Sequence, residues 1–192
     1  MKTTNVICTI LVALSTFTAK ADYSLNFVTA NGGNSNPVFD VDGVTPLNST
    51  FFGQIYAGAN NGSLAAIGSA VQFGTVGGNV NTFANGFIID NAVTATSGSL
   101  FGNSAGVYQL RAWTGASTYE AASVIVGAKI GSSTIQNITG FGGTPSGGGT
   151  PIVPPDVSLH GSFTLSTVAV PEPATLALGL FGAAGMLFRR RK

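Results

Sequence analysis

Read for the alternation of apolar and polar positions, the chain is a succession of short β-type runs separated by Gly, Asn, Ser and Pro. Two-residue alternation puts Tyr23, Leu25 and Phe27 on one face of a strand over Tyr23–Thr29, which Asn31-Gly32-Gly33-Asn34 then breaks. Strands are predicted next at Val38–Val44 and at Thr50–Ala57, where Phe51, Phe52, Ile55 and Tyr56 place aromatics on both faces and mark a central strand. Leu64–Phe73 and Gly86–Thr96 follow. Over Gly106–Thr114 the pattern predicts Tyr108, Leu110 and Ala112 on one face, with Val107, Gln109, Arg111 and Trp113 on the other. Ser117–Ala122 predicts a turn or a single helical turn. Val124–Ile130 and Ser133–Thr139 read as further strands.

The segment 141–156 holds five glycines and four prolines, too many to sustain a ladder, and reads as a linker or long loop. After it, Val157, Leu159, Phe163 and Leu165 alternate with Ser158, His160, Ser162, Thr164 and Ser166. This is the clearest half-buried strand pattern in the chain, and it predicts a closing strand with His160 on the solvated face. Helical periodicity of useful length is absent between the two ends. The fold class expected is all-β: a single β-sandwich, Ig-like or jelly-roll-like, over residues 22–168.

The two ends differ in kind. Residues 1–21 have the form of a secretory signal peptide, with Lys2 as a positive start, an apolar stretch over Val6–Phe17 and an A-x-A site at Ala19 and Ala21, so that the mature chain is expected to begin at Asp22. At the other end Val170, Pro171, Glu172 and Pro173 precede an uncharged run over Ala174–Phe188, closed by Arg189, Arg190, Arg191 and Lys192. The prolines forbid helix across the tripeptide. The 15 apolar residues that follow would rise about 22 Å as a helix, short of the ~30 Å core of a bilayer. The cations would hold the C-terminus on the cytoplasmic side.

In that order, Val-Pro-Glu-Pro-Ala-Thr, a short apolar helix and a basic end resemble the PEP-CTERM sorting signal of Gram-negative bacteria over residues 169–192. The resemblance implies processing by an exosortase, a membrane transpeptidase-like enzyme, together with association with exopolysaccharide and a passage from inner membrane to cell surface or extracellular matrix. It assigns no catalytic residue to this chain. A looser likeness, carried by FFGQIYAG, SLAAIG and VYQLRAW with TYEAA, links the body to the β-domains of other exported proteins bearing this signal.

Removing both ends reverses the sign of the charge. Residues 22–173 carry seven acids against Arg111 and Lys129, a formal charge of −5. This argues against nucleic acid as a partner, since phosphate binding needs clustered cations. The single cysteine, Cys8, lies in the leader, so the mature body has neither a disulfide nor a thiolate ligand.

Candidate chemistry is sparse. Asp40-Val41-Asp42-Gly43 puts two carboxylates beside a glycine turn, yet a calcium loop of the EF-hand type needs a bidentate Glu where Phe51 stands. His160 is the one histidine, and no G-x-S-x-G nucleophile elbow occurs. No metal, cofactor or enzymatic activity is expected. Trp113, with Tyr56, Tyr108 and Tyr119, could form an aromatic platform for sugar rings, which makes a carbohydrate-binding module the alternative to a surface or matrix component and a secreted hydrolase a distant third. Core packing would use the same rings equally well.

Overall fold

A computed structural model describes residues 23–31, 34–95 and 100–169. The chain forms β1 (Tyr23–Val28), a small hairpin of β2 (Ala30–Asn31) and β3 (Asn34–Ser35), β4 (Val38–Phe39) and β5 (Phe52–Gly58). There follow β6 (Ala65–Gln72), β7 (Thr75–Val76), β8 (Asn79–Val80) and β9 (Ile88–Ala95). The last part comprises β10 (Gly106–Trp113), the single-turn α1 (Tyr119–Ala122), β11 (Lys129–Ser132), β12 (Gln136–Ile138), β13 (Phe163–Thr164) and β14 (Ser166–Thr167). The architecture is all-β.

The larger sheet runs β14-β11-β10-β5-β6, with β12 also on β10, and the smaller runs β1-β9-β7-β8. β5 and β10 pair antiparallel over the full length of β5, from Val107 opposite Gly58 to Trp113 opposite Phe52. Alternation then sorts the side chains. Ile55 and Ala57 of β5, with Tyr108, Leu110 and Ala112 of β10, join Leu25 and Phe27 of β1 and Ile88 of β9 in one core shared by both sheets. Gly53 marks where the sheets press closest: a Cβ there would stand 2.6 Å from Ile88 Cδ1 and 2.9 Å from the Phe73 ring. On the opposite face of β10, Trp113 packs with Ala122 and Ala128 in a second, smaller cluster under α1.

The segment 141–156 is fastened at both ends. Phe141 is buried with its ring 4.8 Å from that of Tyr23, and Gly142 exchanges backbone hydrogen bonds with Ser24. At the far end Asn26 donates its N–H to the Pro155 carbonyl and its side-chain amide to Asp156 at 2.7 Å. The free edge of β1 is thereby covered, which removes a row of unpaired backbone groups.

Several predicted strands are shorter than the pattern suggested, among them Ser133–Thr139, which yields only Gln136–Ile138. Val38–Val44 yields only Val38–Phe39, because Asp40 opens a tight turn in which its carbonyl accepts from the Gly43 N–H and Gly43 takes φ +70°. In Val124–Ile130 the first three side chains are exposed and the ladder begins at Lys129. The alternation over Val157–Ser166 inverts midway: Leu159 is 61% exposed and His160 1%. A turn at Ser158–Leu159, followed by Gly161 at φ +72°, shifts the phase by one residue and sends the histidine inward. His160 therefore lies in the interior rather than on a solvated strand face.

Candidate functional site

The polar chemistry of the body gathers in three places. On the outer face of the larger sheet, adjacent strands bring Tyr56 and Arg111 side by side, and α1 lowers Tyr119 and Glu120 onto them. The Thr118 hydroxyl caps α1 by accepting from the Ala121 N–H at 3.2 Å. The Tyr56 hydroxyl donates to Glu120 Oε1 at 2.8 Å. The Arg111 guanidinium lies 3.9 Å over the Tyr56 ring and 5.0 Å from that of Tyr119, with Glu120 at 3.3 Å and Gln109 Oε1 at 3.0 Å. Burial, then the Glu120 carboxylate, raises the Tyr56 phenol far above its ordinary pKa. Tyr56, Gln109, Arg111 and Glu120 spend hydrogen bonds on one another, so the cluster works as a clamp holding α1 to the sheet.

Trp113 lies beneath this clamp, fully buried, with Nε1–H donating to the Ala116 carbonyl at 3.0 Å and Tyr119 edge-on at 6.1 Å. It has no face to offer a sugar ring. Tyr108 points the other way, into the core, so the four aromatics do not assemble into one platform. The alternation of β10 already separated Tyr108 from Trp113; the depth at which each ring lies was not legible in the sequence.

The second place is the turn after β4. Asp40 accepts from Lys129 Nζ at 2.6 Å, and its other oxygen caps the Val41 N–H at 2.7 Å. Asp42 accepts from the backbone N–H groups of Val44 and Thr45 and from the Thr45 hydroxyl, bonds that hold its carboxyl down to about 2. Both carboxylates thus stabilise the turn and its tie to β11. Among the described residues no three His, Cys, Asp or Glu side chains group as a metal would require. The Asp40–Lys129 pair was invisible in the sequence, where 89 positions separate the partners.

The third place is interior. His160 Nδ1 stands at hydrogen-bond distance, 2.6 Å, from the Gly161 carbonyl, while Nε2 and the buried Tyr108 hydroxyl make no hydrogen bond of good geometry among the described residues, the Thr29 and Leu159 backbone groups lying near them without meeting it. Burial lowers the His160 pKa, outweighing the Gly161 and Thr29 backbone groups that favour its charged form. Burial also pushes the Tyr108 phenol up to about 12.

The terminal motifs, Ala19, Ala21 and Asp22 at one end and Val170, Pro171, Glu172, Pro173 and Arg189 to Lys192 at the other, lie outside the described residues, as does the expected membrane helix over 174–188. Among the described residues no helix is long and apolar enough to cross a membrane.

Residues 169–192 match the family described as the PEP-CTERM protein-sorting motif, so the chain carries an exosortase sorting signal at its C-terminus. No curated protein and no solved structure matches the chain. The signal marks the chain for export, by way of a membrane-held precursor, to the cell surface.

Proposed function

We propose that this protein is a non-enzymatic component of the cell surface or extracellular matrix, a β-sandwich body delivered by its C-terminal signal and released from it by an exosortase. The match at residues 169–192 carries the reading. The body supports it, since Glu120, Asp40 and Asp42 are engaged in holding the fold together and His160 is buried. Exopolysaccharide is the expected surrounding of the released body, and no group of the chain is assigned a catalytic role.

Intact-mass measurement of the surface fraction, from an exosortase-bearing host and from the same host lacking the enzyme, tests the central step. The mature species should begin at Asp22 and end near Pro171-Glu172-Pro173, and the enzyme-deficient host should accumulate a longer precursor in its inner membrane. Surface protein that retains Arg189 to Lys192 in the intact host would overturn the processing step and leave the tail as a plain anchor.

A further inference from the structure

We infer that the end of the β-body from which the tail departs is a membrane-contacting surface, seated on the lipid bilayer while the precursor awaits processing. The inference rests on the reading of the tail as membrane-held. Its observation is the placement of exposed aliphatic side chains around the chain's exit.

The last described backbone bonds fix that exit. Val168 donates to the Ala128 carbonyl at 2.7 Å and accepts from the Gly127 N–H at 3.1 Å, and Thr167 pairs with Lys129. The turn just before, at 124–126, presents Val124, Ile125 and Val126 to solvent, the first at 78% exposure. A second loop reaches the same end. β13 and β4 run parallel, so the chain leaving Phe39 and the chain leaving Thr164 emerge together, and the Asp40–Lys129 pair ties them at 2.6 Å. That loop exposes Val41 and Val44, the latter at 76%.

Five aliphatic side chains from two loops thus flank the point where the chain leaves for its tail. The distance is short. Five residues lie between Val168 and Ala174, where the apolar run begins, and even fully extended that stretch spans at most about 20 Å from Val168 to Ala174. A body tethered that closely must rest one surface near the headgroups, and the surface at the tether exposes Val41, Val44, Val124, Ile125 and Val126. Burying such side chains in the boundary between headgroups and acyl chains is favourable in proportion to the apolar area withdrawn from water.

The charges nearby do not supply the attraction. Lys129 is paired with Asp40 and Arg111 with Glu120, while the Asp42 carboxylate would be repelled by acidic lipids. The contact is therefore apolar, and added salt should not release it. A protein partner would be expected to meet directional polar groups among these valines, but in the 41–44 loop Asp42 spends its carboxylate on its own turn.

The test uses the full-length chain carrying Cys8→Ser, which removes the one native cysteine. Single cysteines at Val44→Cys, Val124→Cys and Val126→Cys, with Asn61→Cys in the turn after β5 as control, are labelled with bimane. The protein is reconstituted into phosphatidylethanolamine/phosphatidylglycerol vesicles containing brominated acyl chains. Asn61 sits in the turn beyond Gly58, at the opposite end of β5 and β10, since Gly58 pairs with Val107 and Phe52 with Trp113. Labels at 44, 124 and 126 should be quenched at least about threefold more than the label at 61, with little change in high salt. Vesicle-bound protein in which the four labels are quenched alike would overturn the inference and leave the tail reading intact. Labels shielded from an aqueous quencher yet untouched by bromolipid would overturn it too, in favour of a protein covering the loops. Failure of the chain to sediment with the vesicles would overturn both the tail reading and the inference.

Discussion

His160 is the one histidine of the chain, and it is buried. Its Nδ1 meets the Gly161 carbonyl, its ring stands edge-on to Phe163 at 6.2 Å, and Nε2 is unpartnered among the described residues. Burial lowers its pKa from 6.5, so the folded ring resists a proton that the unfolded chain accepts. Stability contributed in this way is fully present above the unfolded value and is lost as pH falls towards the folded one. The limiting slope is about 1.4 kcal/mol per pH unit while the folded ring stays neutral. Because the unfolded ring is only half protonated at 6.5, the pH unit below it costs at most about 1 kcal/mol, or ~2–4 °C in Tm for a domain of this size. Tyr108, pushed up to about 12, does not titrate in this range, and neither does Asp42, held down to about 2.

Calorimetric melts between pH 7.5 and 5.5 should show the loss in the wild type and none of it in His160→Phe. At neutral pH the variant should be within ~1 kcal/mol of wild type, since it removes an unsatisfied buried nitrogen along with one hydrogen bond to a half-exposed carbonyl. An equal fall in both proteins, or a flat wild-type profile, would refute the argument. The wild-type profile decides the matter by itself should the variant not fold.

Two further substitutions probe the packing. Gly142→Ala would place a Cβ 2.4 Å from Pro154 Cα, a backbone contact that no side-chain rotation relieves, and should cost roughly 1–3 kcal/mol while hastening proteolysis within 144–151; an unchanged Tm and cleavage rate would mean that the loop is not held against β1. Arg111→Ala, which removes the cation stacked over Tyr56 and Tyr119, should destabilise by about 1–2 kcal/mol, whereas Glu120→Gln at an exposed carboxylate should cost under ~1 kcal/mol. Equal losses in chemical denaturation would place the clamp's worth in the ion pair instead.

Sequence by itself determined the parts whose signal is local. The alternation of Gly106–Trp113 sorted its two faces correctly because a paired central strand keeps strict two-residue phase from end to end. The tail was legible for a related reason: a proline-bounded motif, an apolar run and terminal cations act through composition and order alone, and residues 169–192 match the sorting motif accordingly. The short strands were not legible in this way. Over Val157–Ser166 a perfect alternation in the letters was broken by one turn, since periodicity reports a face only while the backbone stays extended.

Tertiary structure alone decided what the side chains do. Trp113 and Arg111 share a strand face in the sequence, but α1 and the chain to Ala128 fold over that face, burying the indole and leaving the guanidinium between two tyrosines at the rim. Asp40 and Asp42 look alike in the sequence, yet one is tied to Lys129 across 89 positions and the other only to its own turn. The two valine-bearing loops meet at the exit of the tail because β4 and β13 pair in parallel, a long-range register that no local pattern encodes. Local chemistry set the strands and the address; the closure of distant backbone onto itself set which groups were buried, which were paired and which were left facing outward.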